Sequence, residues 1–130
     1  MNPVVHFEMP YEDRDRMAKF YESAFGWKTQ AFGQEMGNYV LATTTESVEG
    51  RPTTPGAING GFFARPEDET GHHPSVVISV DNIHMALKHV IESGGEVLGE
   101  PMTIPGVGEY ASFLDTEGNR VSLMQPMSHG

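Results

Sequence analysis

The sequence predicts an α+β fold in one domain, built from two copies of a β-α-β-β-β unit. Strand-like and helix-like segments follow the same order in each half of the 130 residues. Landmarks also recur at one spacing, since Met17 returns as Met85 and a glycine follows each predicted helix. Internal repetition of this kind indicates a duplicated structural unit. We expect a first module at about residues 1–64, a mobile linker at 65–74 and a second module at 75–127.

In the first module, one helix and four strands are expected. Asp13 is the predicted N-cap of the helix and Gly26 its stop. The apolar stripe of this helix has the spacing i, i+3, i+4 and i+7 and consists of Met17, Phe20, Tyr21 and Ala24. The strands are VVHFEMP, WKTQAF, YVLATT and AINGGFFA, the last of which two glycines weaken. Phe25 and Trp27 follow the helix and are interpreted as core residues.

The second module repeats this order. Its helix is predicted to begin at the cap Asp81 and to end at Gly94 and Gly95, with an apolar face of Ile83, Leu87, Val90 and Ile91. The two histidines of this helix, His84 and His89, are expected at the protein surface. The strands are SVVISV, EVLGEPM, EYASFL and RVSLMQP, and the turn DTEGN precedes the last of them.

Composition excludes several functional classes. The 18 acidic and 8 basic residues give a net charge of −10, which disfavours nucleic acids and anionic membranes as partners and favours a cationic ligand. No cysteine is present, so disulfides, thiol nucleophiles and thiolate-bound metals are ruled out. The sequence shows no signal-peptide pattern and no apolar run of membrane-spanning length. A cytoplasmic protein is expected.

Alternation along the strands separates an apolar face from a polar one. On the first strand Val5, Phe7 and Met9 share the face that the helix covers, while His6 and Glu8 share the opposite face. The same alternation places Val76, Ile78 and Val80 under the second helix. It leaves a polar set on the other side, made of Ser75, Ser79 and Ser122. This polar side is either a solvent-facing sheet surface or the lining of a cavity.

Three segments together resemble the vicinal oxygen chelate superfamily, which includes glyoxalase I, extradiol dioxygenases and bleomycin-resistance proteins. They are HFEMPYEDRDRMAKFYESAFGWK, SVDNIHMALKHVIESGGEV and IPGVGEYASFLDTEGNRVSLMQP. The similarity covers nearly the whole chain and is nearest to glyoxalase-like proteins. It implies that the two modules curl into an incomplete barrel of mixed strands, with the helices outside and the site on the concave face. It also implies a homodimer and a small-molecule ligand.

The resemblance further implies four positions for metal ligands, on the first, fourth, fifth and eighth strands. In this sequence they fall on His6, Asn59, Ser75 and Ser122. One imidazole, one amide and two hydroxyls lack the anionic character of zinc or iron sites, so no metal cofactor is expected. The alternative is a divalent metal at His6, on a site rebuilt with Glu8 and His73. His72 and His73 are otherwise interpreted as solvated loop residues.

Two functional hypotheses follow. In the first, the protein is a glyoxalase-like lyase or isomerase that acts beside a carbonyl, with His6 and Glu8 as catalytic residues. Burial would raise the pKa of Glu8 and suit it to general base catalysis. In the second, it is a non-catalytic protein that sequesters a ligand, as bleomycin-resistance proteins do. In both, the ligand pocket is predicted to contain His6, Glu8, Asn59, Ser75, Tyr110 and Ser122.

Overall fold

The computed structural model describes residues 1–127 and divides into two compact units. The first unit contains residues 6–74, and the second contains residues 1–5 together with residues 75–127. Each unit has one α-helix and one four-stranded mixed sheet. No helix within residues 1–127 is long and apolar enough to cross a membrane.

The first unit is built on the sheet order β2-β3-β6-β1. The strands β2 and β3, and likewise β3 and β6, are antiparallel, whereas β6 and β1 are parallel. A two-residue hairpin, β4 with β5, lies in the loop before β6. The bounds of these elements are β1 Val4–Tyr11, α1 Arg14–Phe25, β2 Lys28–Ala31, β3 Val40–Thr43, β4 Ser47–Val48, β5 Arg51–Pro52 and β6 Asn59–Ala64.

The second unit has the sheet order β7-β10-β9-β8. Here β7 and β10 are parallel, and the other two pairs are antiparallel. In both units, therefore, the last strand pairs in parallel with the first, which confirms the α+β prediction of two β-α-β-β-β units. The bounds are β7 Ser75–Ser79, α2 Ile83–Glu92, β8 Glu96–Ile104, β9 Gly108–Leu114 and β10 Arg120–Pro126.

Helix α1 begins and ends as predicted, but it is less buried than predicted. The Asp13 carboxylate accepts a hydrogen bond from the Arg16 N–H, and Gly26 ends the helix in the left-handed conformation at φ 74°. No residue of α1 is fully buried. Met17 and Tyr21 pack against the core, but Ala24 is exposed, and so are Phe20 and Phe25 at 58% and 64%. The predicted apolar stripe was therefore wrong for Phe20 and Ala24, which lie on the solvent-facing side of the helix. The interpretation of Phe25 as a core residue was also wrong, whereas Trp27 packs against the core.

Helix α2 required two corrections. Its N-cap is Asn82 rather than Asp81, since the Asn82 side chain accepts a hydrogen bond from the Met85 N–H. Ile83 and Leu87 are buried in the core of the second unit as predicted, but Ile91 is 61% exposed, and Ala86 packs against the core instead. The predicted surface positions of His84 and His89 are confirmed, because both residues are exposed.

Alternation correctly predicted that Phe7, Met9, Ile78 and Val80 lie on the helix-covered faces of their strands. Phe7 and Met9 pack against the core of the first unit, which is formed by Val40, Ala42 and Phe62. Val80 belongs to the core of the second unit and Ile78 packs against it. Val5 and Val76 were wrongly placed under the helices; they are 37% and 36% exposed and lie outside both cores. Both residues sit near the beginning of their strands, where the helix-side cores do not reach.

Candidate functional site

Several residues on the polar faces of the two sheets are buried. Glu8 is only 6% exposed, and in the second unit Ser112 and Ser122 are 6% and 2% exposed. Val77, which lies opposite Ser122 in the strand register, is 1% exposed. A plain solvent-facing sheet would expose these side chains. Of the two interpretations left open by alternation, the solvent-facing surface is therefore wrong for these residues.

His6 is a half-buried residue on β1 with a specific partner. Its Nε2 atom lies 3.0 Å from the Tyr39 hydroxyl, within hydrogen-bond distance. Burial lowers the pKa of His6 below its ordinary value, because desolvation disfavours the charged imidazolium. His6 is thus a neutral imidazole at neutral pH, able to donate through one ring nitrogen and accept through the other.

Glu8 follows His6 by two residues and lies on the same face of β1. In the register with β6, His6 is opposite Asn59 and Glu8 is opposite Gly61. Residues two apart in a strand are separated by about 7 Å, close enough for one small ligand to contact both side chains. A carboxyl group buried to this extent is costly and is retained where it has a structural or chemical role.

Tyr39 was not identified from the sequence. It precedes β3, and its ring crosses the polar face to reach His6 on β1, passing over β6 at Gly61. A Cβ atom at position 61 would fall within the Tyr39 phenol, so this glycine provides the space that the ring occupies. The glycines of β6, interpreted from the sequence as weakening the strand, have packing roles instead. A Cβ at Gly60 would likewise meet the ring of Phe7.

Asn59 lies beside His6, but its amide is bonded to the neighbouring loop. The Oδ1 atom accepts hydrogen bonds from the backbone N–H groups of Thr44 and Thr45 at 2.8 and 3.1 Å. The Nδ2 group donates to the Ser47 hydroxyl at 3.3 Å. Asn59 therefore holds the segment after β3 against β6, and its side chain has a structural role next to the histidine.

The predicted residues of the second unit form a hydroxyl cluster. The Tyr110 hydroxyl lies 2.7 Å from the Ser122 hydroxyl, which in turn lies 3.0 Å from the Ser112 hydroxyl. Ser112 was missed by sequence reasoning, although the pairing of Ser122 with Ser112 across β9 and β10 places them side by side. Ser75 begins β7 and is half-buried. Buried hydroxyls linked in this way satisfy one another and keep the strands in register.

The side chains at the four implied metal positions do not fit a divalent ion. His6 Nε2, the Asn59 carbonyl oxygen and the Ser122 hydroxyl each have a hydrogen-bond partner within their own unit. A metal at any of these atoms would have to displace that partner, and none of the four positions carries the negative charge that zinc or iron sites use. Within residues 1–127 no group of three or more histidine or carboxylate side chains is arranged to bind a metal.

Two other features lie apart from these residues. His72 is not solvated as interpreted, because its Nε2 lies 2.7 Å from the Pro66 carbonyl oxygen, a hydrogen bond that joins the two sides of the 65–74 segment. His73 is exposed, as interpreted. A groove of about 330 Å³ in the second unit is lined by residues 103–106, 108–109 and 125–127 and contains none of the predicted site residues.

Comparison with known proteins identifies the family. Residues 4–123 match the model of the Glyoxalase/Bleomycin resistance protein/Dioxygenase superfamily. A "Glyoxylase-like domain-containing protein" of Didymella fabae is 32% identical over 115 residues, which cover 86% of this chain and 84% of that protein. The "Putative glyoxylase CFP32" of Mycobacterium bovis is 31% identical over 67 residues, which cover 52% of this chain and 26% of that protein.

Solved structures with the same fold have little sequence identity to this chain. A variant of the methylmalonyl-CoA epimerase of Streptomyces coelicolor, in complex with 2-nitronate-propionyl-CoA, superimposes with a TM-score of 0.69 at 14% identity, covering 96% of this chain and 97% of the epimerase. The methylmalonyl-CoA epimerase of Mycobacterium tuberculosis gives 0.67 at 15% identity, covering 96% and 88%. The family-model match over residues 4–123, together with the relative that is 32% identical, shows that the chain belongs to the Glyoxalase/Bleomycin resistance protein/Dioxygenase superfamily.

Proposed function

We propose that this protein is an enzyme that transfers a proton at a carbon beside a carbonyl group, the first step of an isomerase- or lyase-type reaction. Glu8 is the base, and His6 lies next to the reacting group. The observation that carries the proposal is the buried Glu8 carboxylate, two residues from a neutral imidazole on the same face of β1. The fold shared with methylmalonyl-CoA epimerases supports it by analogy.

The step requires no metal. The Glu8 carboxylate removes the proton, the C–H electron pair becomes the C=C bond of an enolate, and the carbonyl π pair moves onto oxygen. Return of a proton from the Glu8 carboxyl group to carbon restores the carbonyl. Neutral hydrogen-bond donors stabilise the enolate oxygen less than a metal ion does, so the substrate must carry an already acidified C–H, as thioesters and 1,2-dicarbonyl adducts do.

The experiment is a search for hydrogen exchange in deuterated water. Methylmalonyl-CoA, a 2-oxo acid and a thiol hemithioacetal are incubated with the protein, and deuterium at the carbon beside the carbonyl is followed by NMR. We expect incorporation with at least one of the three, and none above background with Glu8→Gln. Glu22→Gln, which removes an exposed carboxylate of α1, should exchange at the wild-type rate. Exchange that survives Glu8→Gln, or no exchange of any of the three, rejects the proposal.

A second candidate function is sequestration of a cationic ligand without turnover. The net charge of −10 and the buried Glu8 carboxylate favour it, because a desolvated carboxylate attracts a cationic group. Calorimetric titration with bleomycin distinguishes the two functions. Saturable binding that is lost in Glu8→Gln, in a protein that shows no hydrogen exchange, would replace the first proposal by this one.

A further inference from the structure

Tyr39 is held in place by both its backbone and its side chain. The loop that carries it is closed by a hydrogen bond from the Phe32 N–H to the Tyr39 carbonyl oxygen at 2.9 Å. The Tyr11 hydroxyl, on β1, donates to the carbonyl oxygen of Asn38 at 2.7 Å. Gly37 and Asn38 turn the chain through the left-handed conformation at φ 65° and 56°. The phenol is therefore positioned in advance of any ligand, as an electrostatic catalyst requires.

The ring reaches a place that a side chain of β6 would otherwise fill. Gly61 is opposite Glu8 in the register, and the space above it contains the Tyr39 phenol. The hydroxyl is thereby brought to His6 Nε2 at 3.0 Å. Three chemical groups thus meet on one face of the first unit: a buried carboxylate, a neutral imidazole and a phenol. The acid–base chemistry proposed above assigns a role to the first two only.

We propose that Tyr39 is a catalytic residue that hydrogen-bonds the substrate's carbonyl oxygen, and that the His6 Nε2–H donates to the Tyr39 oxygen and orients it. The inference rests on the proposed function and adds the group that stabilises the enolate. Glu8 takes the proton from carbon, the negative charge develops on the substrate oxygen, and the phenolic O–H stabilises it without leaving tyrosine. The hydrogen bond from His6 strengthens the phenol as a donor, since linked hydrogen bonds polarise one another.

The direction of the His6–Tyr39 hydrogen bond is tested first, in the resting protein. The pH titration of the His6 ring is followed by NMR in protein labelled at histidine nitrogen, with Tyr39→Phe and wild type compared. If Nε2–H donates to the phenol, the bond is stronger to the imidazolium, and its loss should lower the midpoint of the His6 titration. If instead the phenol donates to Nε2, its loss removes stabilisation of the neutral ring, and the midpoint should rise. A rise, or no change, overturns the assignment.

Controls separate a local effect from a disturbed loop. Tyr11→Phe removes the other phenol that anchors the same loop. It should leave the His6 midpoint unchanged, because the Tyr11 hydroxyl donates to the Asn38 carbonyl oxygen and not to His6. Gly61→Ala retains both His6 and Tyr39 but displaces the ring, and should reproduce the effect of Tyr39→Phe on the midpoint. If Tyr39→Phe folds poorly, the direction of the hydrogen bond can still be read from the His6 midpoint of Gly61→Ala.

Contact with a ligand oxygen is tested with the nitronate of nitroethane, a stable anion that resembles an enolate. Wild-type protein should bind it with chemical-shift changes at His6. Tyr39→Phe should bind it about tenfold more weakly, as expected for loss of one hydrogen bond to a charged oxygen, while Tyr11→Phe binds normally. Equal affinity of wild type and Tyr39→Phe, or no binding by either, overturns the role of Tyr39. Nitronate binding that depends on Tyr39, without hydrogen exchange in any carbonyl substrate, would reject the proposed reaction and with it the catalytic role of Tyr39, and would leave Tyr39 as a residue that binds a ligand oxygen.

Discussion

Replacing His6 by alanine should cost little stability, and the cost should decrease in acid. His6→Ala removes one half-buried ring from the polar face and deletes no side chain of the core, because Phe7 and Met9 lie on the opposite face. The principal loss is the hydrogen bond to Tyr39, so we expect the free energy of unfolding at about pH 8 to fall by about 1 kcal/mol.

The pH dependence follows from the lowered pKa of His6. Above the unfolded-state pKa of about 6.5 the ring is neutral in both states, and its contribution to stability is fully present. As the pH falls below that value, the unfolded chain takes up a proton that the buried ring resists, and wild type loses stability until the folded-state pKa is passed. His6→Ala has no imidazole at this position and does not lose stability in this way. The difference in the free energy of unfolding between wild type and His6→Ala should therefore become smaller in acid.

The assay is urea unfolding of wild type and His6→Ala at about pH 8 and about pH 5, with His84→Ala as the control. His84 is exposed on α2, so its removal should give a small difference that does not depend on pH. Tyr39, which contacts His6, and Glu8, two residues along the same strand, are present in both proteins. The reasoning would be refuted if the difference in the free energy of unfolding between wild type and His6→Ala were unchanged or larger in acid. If His6→Ala lowered the free energy of unfolding by well above about 1 kcal/mol at about pH 8, His6 would be chiefly structural.

Three further predictions follow from the structure and the family. Asn59→Ala should lower the free energy of unfolding, measured in urea, by about 1–3 kcal/mol, because the half-buried N–H groups of Thr44 and Thr45 lose their acceptor. A smaller effect would mean that water replaces the amide. Glutathione-dependent glyoxalase I activity should be absent with or without added zinc or nickel, since Ser75 and Ser122 are not metal ligands, and turnover abolished by a chelator would contradict this. Sedimentation at micromolar concentration should show a homodimer of the 14.3 kDa chain, as the family resemblance implies, and a purely monomeric profile would disprove it.

The fold was predictable from the sequence because its signals are local. Helical spacing, a carboxylate cap and a glycine stop define α1 within its own twelve residues, and alternation defines β1 and β10 in the same way. What could not be predicted depends on the contacts between segments. The exposure of Phe20 and Phe25 follows from how α1 lies on its sheet, which the pattern of the helix alone does not specify.

The site residues with a local sequence signal were predicted, and those that depend on contacts between segments were missed. His6 and Glu8 are recognisable because they interrupt an apolar strand at alternate positions, whereas Tyr39 and Ser112 carry no local signal. Tyr39 reaches His6 only because β3, β6 and β1 pair in one register and Gly61 leaves room between them.

The side chains at three of the implied metal positions are already hydrogen-bonded to other protein groups. His6, Asn59 and Ser122 have different partners, namely a phenol, two backbone N–H groups and a pair of hydroxyls. Restoring a metal site would therefore require more than exchanging one serine for a carboxylate, since the displaced partners would be left buried and unsatisfied. The same contacts fix the orientation of each polar group in the absence of an ion. In the first unit, hydrogen bonds between protein groups orient His6 and Asn59, so the proposed chemistry depends on neutral donors to stabilise an enolate. Such donors suit a substrate whose own structure already stabilises the enolate, and this is the physical reason to search first among the more acidic carbonyl compounds.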